Sequence, residues 1–153
     1  MLAMGSKENL KVPFTLLSLV GVPVYVIADG DAGGAERKYP NDSTKQADAA
    51  ASHQLATESL LAWLPGCDSA RVGKLPCDWG STTTVTDRWC VLQDDLEAEL
   101  EAWPDYMKEL DVNGHELRSK NVAAVRSAVS EADLGGLASV LRELIKAVTD
   151  FGP

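Results

Sequence analysis

Residues 22–34 read Val22-Pro23-Val24-Tyr25-Val26-Ile27-Ala28-Asp29-Gly30-Asp31-Ala32-Gly33-Gly34. The segment 22–28 is short, continuously apolar and rich in β-branched residues, which predicts a strand buried on both faces. Two carboxylates, Asp29 and Asp31, follow this strand directly. Because parallel α/β sheets bind their ligands at the carboxyl ends of the strands, we expect both acids to lie in a functional site.

The spacing of the two aspartates suits a divalent cation. Carboxylates at positions i and i+2 can face one ion if the chain turns between them, and Gly30 permits such a turn. Ligand sets made only of oxygen favour Mg²⁺ or Mn²⁺ over softer metals. We therefore expect Asp29 and Asp31 to form part of a metal site for phosphate chemistry.

Length and charge restrict the class of protein. The chain has 153 residues, which predicts one domain over residues 1–153. Its net charge is -9 and its isoelectric point is about 4.6, which counts against a module that holds nucleic acid by a broad basic surface. An enzyme that reaches phosphates through a bound metal remains compatible with this charge, because the cation reverses the local sign.

The cysteine and histidine patterns predict no structural metal or disulfide framework. The three cysteines, Cys67, Cys77 and Cys90, are odd in number and lack CxxC spacing, as is typical of reduced thiols in the cytoplasm. His53 and His115 are far apart and near no cysteine pair at zinc spacing. The sequence has no apolar run of the about 20 residues that a membrane span needs and no secretion signal, so we expect a cytoplasmic protein.

The remaining segments predict an α/β chain. A helix buried nearly all round is expected over residues 12–20, and a long helix over residues 44–64. Residues 81–92 read as one bent strand or two short ones. C-terminal helices are expected over about residues 119–150, the first with Val122, Val125 and Val129 on one face and the last packing against the sheet.

Three folds use an Asp-x-Asp motif of this kind. A haloacid-dehalogenase-like phosphatase has Thr or Val two residues beyond the second aspartate, where this chain has Gly33. An EF-hand loop needs further ligands at alternating positions and a glutamate twelve along, which this segment lacks. The third fold is Toprim, in which a glutamate from one strand and an Asp-x-Asp from another hold Mg²⁺.

Three further segments resemble one Toprim family. Residues 5–10 (Gly-Ser-Lys-Glu-Asn-Leu), the strand with its aspartates at residues 21–31, and residues 89–97 (Trp-Cys-Val-Leu-Gln-Asp-Asp-Leu-Glu) are similar to the Toprim domain of the OLD-family (overcoming lysogenization defect) ATP-dependent endonucleases. Ser119-Lys120-Asn121 is similar, less specifically, to the downstream lysine segment of that family. The resemblance spans about residues 1–130.

This resemblance implies a fold and a chemistry. It implies a Toprim-like (Rossmann-like) domain with a small, mainly parallel sheet flanked by helices. It also implies that Asp29 and Asp31 ligate Mg²⁺ or Mn²⁺, that Glu97 joins this metal site or a second one, and that Lys120 contacts the scissile phosphate. The expected activity is hydrolysis of phosphodiester bonds in DNA, which would be bound through the metal.

The chain also departs from the family pattern. A Toprim nuclease carries a glutamate on its first strand, upstream of the segment that residues 1–5 resemble, and an ATPase domain normally precedes it. The chain is therefore expected to be an N-terminally truncated piece or one half of a split system, with an ATPase domain or subunit as partner. Because the acid cluster is incomplete, two alternatives stay open: a degenerate, non-catalytic interaction domain, and a phosphatase of another α/β type. The oligomeric state, including a homodimer, is also open.

Overall fold

The structure is a computed structural model that describes residues 7–64, 80, 82–117 and 121–151. It contains helices and a small sheet, with short 3₁₀ turns at Lys7–Leu10 and Leu134–Gly136. The elements in chain order are α1 (Lys11–Leu19), β1 (Val26–Ala28), α2 (Gly34–Lys38), α3 (Ser43–Trp63), β2 (Thr84–Val85), β3 (Trp89–Val91), α4 (Leu96–Glu101), α5 (Pro104–Val112), α6 (Val122–Glu131) and α7 (Ser139–Asp150).

The described sheet has three strands in the order β1-β3-β2. β1 and β3 are parallel, with Val26 opposite Trp89, whereas β2 and β3 form an antiparallel hairpin with Val85 opposite Cys90. The expected α/β class is therefore confirmed, but the sheet is mixed rather than mainly parallel. The break predicted within residues 81–92 falls at the turn between β2 and β3, so the two-strand reading is correct.

A strand forms within residues 22–28, but the predicted length and the predicted burial on both faces are wrong. β1 covers Val26–Ala28 only, and it lies at an edge of the described sheet. Val26 and Ala28 point into the core, but Ile27 is 40% exposed. Ile27 is paired with Cys90 of β3, and Leu144 of α7 packs over Cys90. α7 covers β1 less completely than it covers β3, so Ile27 stays partly exposed.

Helices pack on both faces of the sheet. The end of α3 covers one face, where Leu60 and Leu61 join Val26, Trp89 and other residues of the two parallel strands in one apolar cluster. Leu144 of α7 covers the other face, as predicted for the last helix. The predicted helix over residues 44–64 is confirmed as α3, and Asp42 caps it by accepting a hydrogen bond from the backbone N–H of Lys45.

The helix predicted over residues 12–20 forms, but it is not buried. α1 has no fully buried residue among those described, and its main aromatic contact is Phe14 against Trp63, with ring centroids 5.0 Å apart. The opposite face is open to solvent, where side chains 60% to 78% exposed form one stripe: Val12, Leu16, Leu19 and Val20. Apolar residues surround this helix on all sides, but the rest of the structure packs against only one side of it. The other apolar side therefore remains exposed.

The C-terminal helices form their own apolar cluster, and here the packing face differs from the predicted valines. Val122 is 80% exposed, whereas Ala124 and Ala128 are buried. Small side chains on α6 permit close approach to α5, whose Tyr106 is fully buried. Asn121 caps α6, because its side chain accepts hydrogen bonds from the backbone N–H groups of Ala123 and Ala124.

Within the described part of the chain, none of the helices combines the length and the apolar character that crossing a bilayer requires. The only cysteine among the described residues is Cys90, whose thiol is free and buried. Burial and the charges of Glu99 and Glu143 raise its pKa to about 12, so it is a poor nucleophile at neutral pH.

A close contact between backbones fixes the turn after β1. A Cβ atom on Gly30 would lie 2.3 Å from the carbonyl oxygen of Leu92 and 2.5 Å from that of Gln93. Both atoms belong to the backbone, so neither can move aside without breaking the pairing of β1 with β3. Glycine is therefore required at this position for steric reasons, whereas the positive φ of this turn belongs to Asp31.

We predict that Gly30→Ala lowers the free energy of unfolding by about 3 kcal/mol, because the added methyl group overpacks two backbone segments. The measurement is urea denaturation followed by circular dichroism. Gly21→Ala is the control: Gly21 has φ +76° and open space around its Cβ position, so the backbone cost alone is about 1 kcal/mol. Equal effects of the two substitutions would contradict the contact.

Candidate metal centre

Two acidic segments meet at one edge of the sheet. β1 and β3 are parallel neighbours, so their carboxyl ends lie side by side, and Asp29 follows one strand as Asp94 and Asp95 follow the other. The pairing continues beyond the strands. The backbone N–H of Asp31 donates to the carbonyl of Asp94 at 2.9 Å, and that of Ala32 donates to Gln93 at 3.3 Å. These bonds hold the two carboxylate-bearing turns together.

Asp31 occupies the most constrained position of the site. Its φ is +60°, and it is the only described residue other than glycine with a positive φ. Its Oδ2 atom accepts a hydrogen bond from Nζ of Lys7 at 2.7 Å and lies 3.5 Å from Nδ1 of His53. The side chain of Lys7 is only 10% exposed, so its charge is largely enclosed beside this carboxylate.

A second cation holds the other acidic segment. The guanidinium of Arg37, on α2, forms ion pairs with Asp94 and, at 2.8 Å, with Asp95. The hydrogen bond to Asp94, followed by the charges of the neighbouring aspartates, raises the pKa of Arg37. Asp94 also accepts a hydrogen bond from the backbone N–H of Gly33, and Asp95 caps α4 through the N–H of Ala98. Both carboxylates are thus fixed by the chain itself.

The charge of Asp29 is unfavourable in this setting. Desolvation of its carboxyl group and then the charges of Asp31, Asp95 and Glu97 raise its pKa from 3.8 to about 6, and Lys7 opposes this only in part. The residue as a whole is nevertheless exposed, so the desolvation of its carboxyl group is only partial. Three carboxyl groups from the segments that follow β1 and β3 thus act electrostatically on that of Asp29.

The donor chemistry suits a hard divalent cation, since all four groups offer carboxylate oxygens. The arrangement is not that of a finished coordination site. Within residues 7–64, 80, 82–117 and 121–151, no three acidic, histidine or cysteine side chains are grouped so that they could hold one ion. In the structure Lys7 is paired with Asp31, and Arg37 is paired with Asp94 and Asp95. Asp29 and Glu97 are the acids that these two cations leave available.

The sequence predicted part of this cluster. Asp29, Asp31 and Glu97 were expected at one site, and the charge of Glu97 does reach Asp29. Lys120 lies outside the described residues. Sequence reasoning missed Lys7 and His53, whose contacts with Asp31 bridge 24 and 22 positions of the chain. The sequence shows only that each residue belongs to a helical segment that precedes or follows the loop with the aspartates. Many other residues share that feature, so it does not identify these two.

A cavity of about 300 Å³ lies elsewhere, at the amino ends of the two parallel strands. Its walls come from Val24 just before β1, from Trp89, and from Phe14 and Phe151. Asp87 and Arg88 also line it, and it lies at the end of the sheet opposite to the aspartates. We therefore assign the acidic chemistry to the open edge and not to the cavity.

No protein-family model, no curated protein and no solved structure matches this chain. The likeness to the Toprim domain of OLD-family endonucleases thus rests on the short segments quoted above. Beyond these segments, the only support is the chemistry of the carboxylate groups at the site, which is a property of the residues and not of any relative.

We predict that Asp29→Asn stabilises the protein at neutral pH. The folded-state pKa of Asp29 is raised from 3.8 to about 6, so the folded protein binds this proton more tightly than the unfolded chain does. The carboxylate therefore costs stability above about pH 6, and this cost fades as the pH falls towards 4. After allowance for solvent screening at an exposed group, the gain at pH 7.5 is on the order of 1 kcal/mol.

Urea denaturation at pH 7.5 and pH 4.5 measures this difference. The gain should be present in full at the higher pH and fall to roughly a third of that value at the lower one, which still lies above the unfolded-state pKa of 3.8. Asp87→Asn is the control, because its side chain is 89% exposed in the turn at the opposite end of β3. A loss of stability for Asp29→Asn at pH 7.5 would show that the carboxylate is not repelled by its neighbours.

Proposed function

We propose that this chain is a metal-dependent nuclease module that hydrolyses phosphodiester bonds of DNA and resembles the Toprim domain of OLD-family endonucleases. One observation carries the proposal: two adjacent parallel strands end side by side, so that the segments after them place the acids Asp29, Asp31, Asp95 and Glu97 at one edge of the sheet. Desolvation, and then the charges of these neighbours, raise the pKa of Asp29 to about 6, and a perturbed carboxyl group of this kind is typical of functional sites.

The proposal gives each acid a role. Asp29 and Asp31 would hold Mg²⁺ or Mn²⁺, and Glu97, in the first turn of α4, would join that site or a second one. A bound ion of this type supplies Lewis-acid chemistry, in which it lowers the pKa of water and neutralises charge on the phosphate. The chain's own part is to hold these oxygens at a rigid strand edge, while Lys120 would contact the scissile phosphate.

The proposed partners follow from the same reading. DNA would be bound through the metal, since a chain of net charge -9 repels a polyanion over most of its surface. An ATPase domain or subunit would accompany the module, as in the family that it resembles. A homodimer is a further arrangement that the proposal leaves open.

The test of this function begins with the metal. We expect isothermal titration calorimetry to show binding of Mn²⁺ to the folded protein, and Asp31→Asn to abolish it, because that substitution removes the carboxylate nearest to Asp29 along the chain. Supercoiled plasmid incubated with Mg²⁺ or Mn²⁺ should be nicked by the native protein and not by Asp31→Asn. Asp87→Asn, with its exposed carboxylate at the far end of β3, is the matched control and should bind and cleave normally.

A non-catalytic interaction domain is the second candidate, and the apolar stripe on α1 favours it. Val12, Leu16 and Leu19 are each at least 60% exposed, and α1 contains no acidic residue. Contiguous exposed apolar surface is typical of a site of association. Metal binding without cleavage of plasmid or of a phosphomonoester would select this candidate, whereas the absence of metal binding would remove the nuclease proposal outright.

A further inference from the structure

The cavity of about 300 Å³ at the amino ends of β1 and β3 is the feature that the proposed function does not use. Its apolar wall consists of Phe14, Trp89 and Phe151, which come from three different helices or strands or their ends, and of Val24 and Leu64. This volume lies at the lower end of the range of about 300–1,000 Å³ that is usual for ligand pockets. It has room for roughly ten non-hydrogen atoms, at the about 30 Å³ that one water molecule takes up in the liquid.

The aromatic rings of the wall are held in place by contacts within the protein. Phe14 packs edge-on against Trp63 of α3, with ring centroids 5.0 Å apart. Phe151 packs in the same way against Tyr25, with ring centroids 5.3 Å apart. Trp89 is only 5% exposed and belongs to the central strand of the described sheet. The apolar wall is therefore formed in advance, so a ligand does not need to order these side chains when it binds.

Arg88 brings a positive charge to this wall from the turn between β2 and β3. Its backbone N–H donates to Oγ1 of Thr86 at 3.2 Å, and its carbonyl accepts a hydrogen bond from the N–H of Val26 at 3.3 Å. The hydroxyl of Tyr25 donates to the carbonyl of Thr86 at 2.9 Å and ties the same turn to the chain before β1. These bonds fix the backbone of Arg88 beside the cavity.

The guanidinium group of Arg88 is accessible to a ligand. The side chain is 62% exposed, and Nε lies 4.0 Å from Oδ2 of Asp87, which is the outer limit of an ion pair. The side chain of Asp87 is itself 89% exposed, and a pair between two such groups contributes little in water. A ligand carboxylate can bind the guanidinium through two parallel N–H···O bonds, which are stronger and fix the orientation of the ligand.

We propose that this cavity binds a small aromatic monocarboxylate, whose ring lies among the three aromatic side chains and whose carboxylate accepts hydrogen bonds from the guanidinium of Arg88. Aromatic rings favour offset-stacked or edge-to-face contacts, which a flat ligand can make with all three walls. A doubly charged phosphate ester suits the cavity less, because a chain of net charge -9 repels anions. The inference does not depend on the nuclease proposal, since the cavity and the aspartates lie at opposite ends of the sheet.

A matched pair of probes, phenylacetate and its neutral analogue phenylacetamide, tests the proposal. Both have the same ring and the same number of non-hydrogen atoms, so they differ only in the charge of the head group. By isothermal titration calorimetry, phenylacetate should bind the native protein with a Kd on the order of 1 mM. It should bind about tenfold more tightly than phenylacetamide, because the amide cannot form the charge-assisted pair of hydrogen bonds. Equal affinity for the two probes would overturn the role of Arg88.

The substitution Arg88→Met removes the charge and keeps an apolar side chain on the surface. It should weaken the binding of phenylacetate about tenfold and leave that of phenylacetamide within about twofold, so that the preference for the carboxylate is lost. Arg126→Met is the charge-matched control: Arg126 is exposed on α6, and the described wall of the cavity contains no residue of this helix. The control should keep the full preference. A preference that survives in Arg88→Met would contradict the proposal.

Nuclear magnetic resonance of the backbone amides locates the binding site in the native protein. Phenylacetate should shift the signals of Val24, Trp89 and Phe151 and leave those of Gly33 and Ala98, at the acidic edge, in place. Val24→Phe fills the cavity and should abolish the binding of both probes, with circular dichroism showing that the variant is folded. No binding of either probe to the native protein, or shifts confined to other residues, would overturn the inference and leave the nuclease proposal standing.

Discussion

The hydrogen bond from the N–H of Asp31 to the carbonyl of Asp94 is the contact on which the site depends. It prolongs the parallel pairing of β1 with β3 past the point where both strands end, and it forces the two acidic turns to lie side by side. The close approach at Gly30 is the steric condition for it. The cations that neutralise the site, the shift of the pKa of Asp29 and the position of α4 all follow from this junction.

Much of the local structure was predictable from the sequence, because it depends on signals a few residues apart. α3 was predicted over residues 44–64, close to its observed bounds Ser43–Trp63, and the acidic cluster was expected from aspartates that follow an apolar strand. Burial was harder to predict, since it depends on partners. α1 is apolar all round but has only one surface to pack against, and α6 packs with Ala124 and Ala128 instead of its valines. The spacing of apolar residues shows which residues share a face of a helix. It does not show which face another part of the chain will cover.

The cations of the site could not be predicted for a related reason. Arg37 reaches Asp94 and Asp95 across more than fifty positions, and Lys7 reaches Asp31 from before α1. A sequence shows which residues carry charge, but the pairing of charges depends on the tertiary fold. The acidic composition suggested an open site that awaits a cation, whereas the structure shows that Lys7 and Arg37 already pair with three of the carboxylates. The site nevertheless keeps an excess of negative charge, which contributes to the raised pKa of Asp29.

The left-handed backbone at Asp31 has a consequence for how this site can be lost. Glycine adopts such a conformation without the cost of roughly 1 kcal/mol that an L-residue pays. In the genetic code, every aspartate codon becomes a glycine codon by a single base change. Mutation therefore has a short route to a backbone that is more relaxed at this turn and that no longer carries the carboxylate. The pair with Lys7 acts in the opposite direction, because Asp31→Gly would leave the largely enclosed ammonium group without its carboxylate.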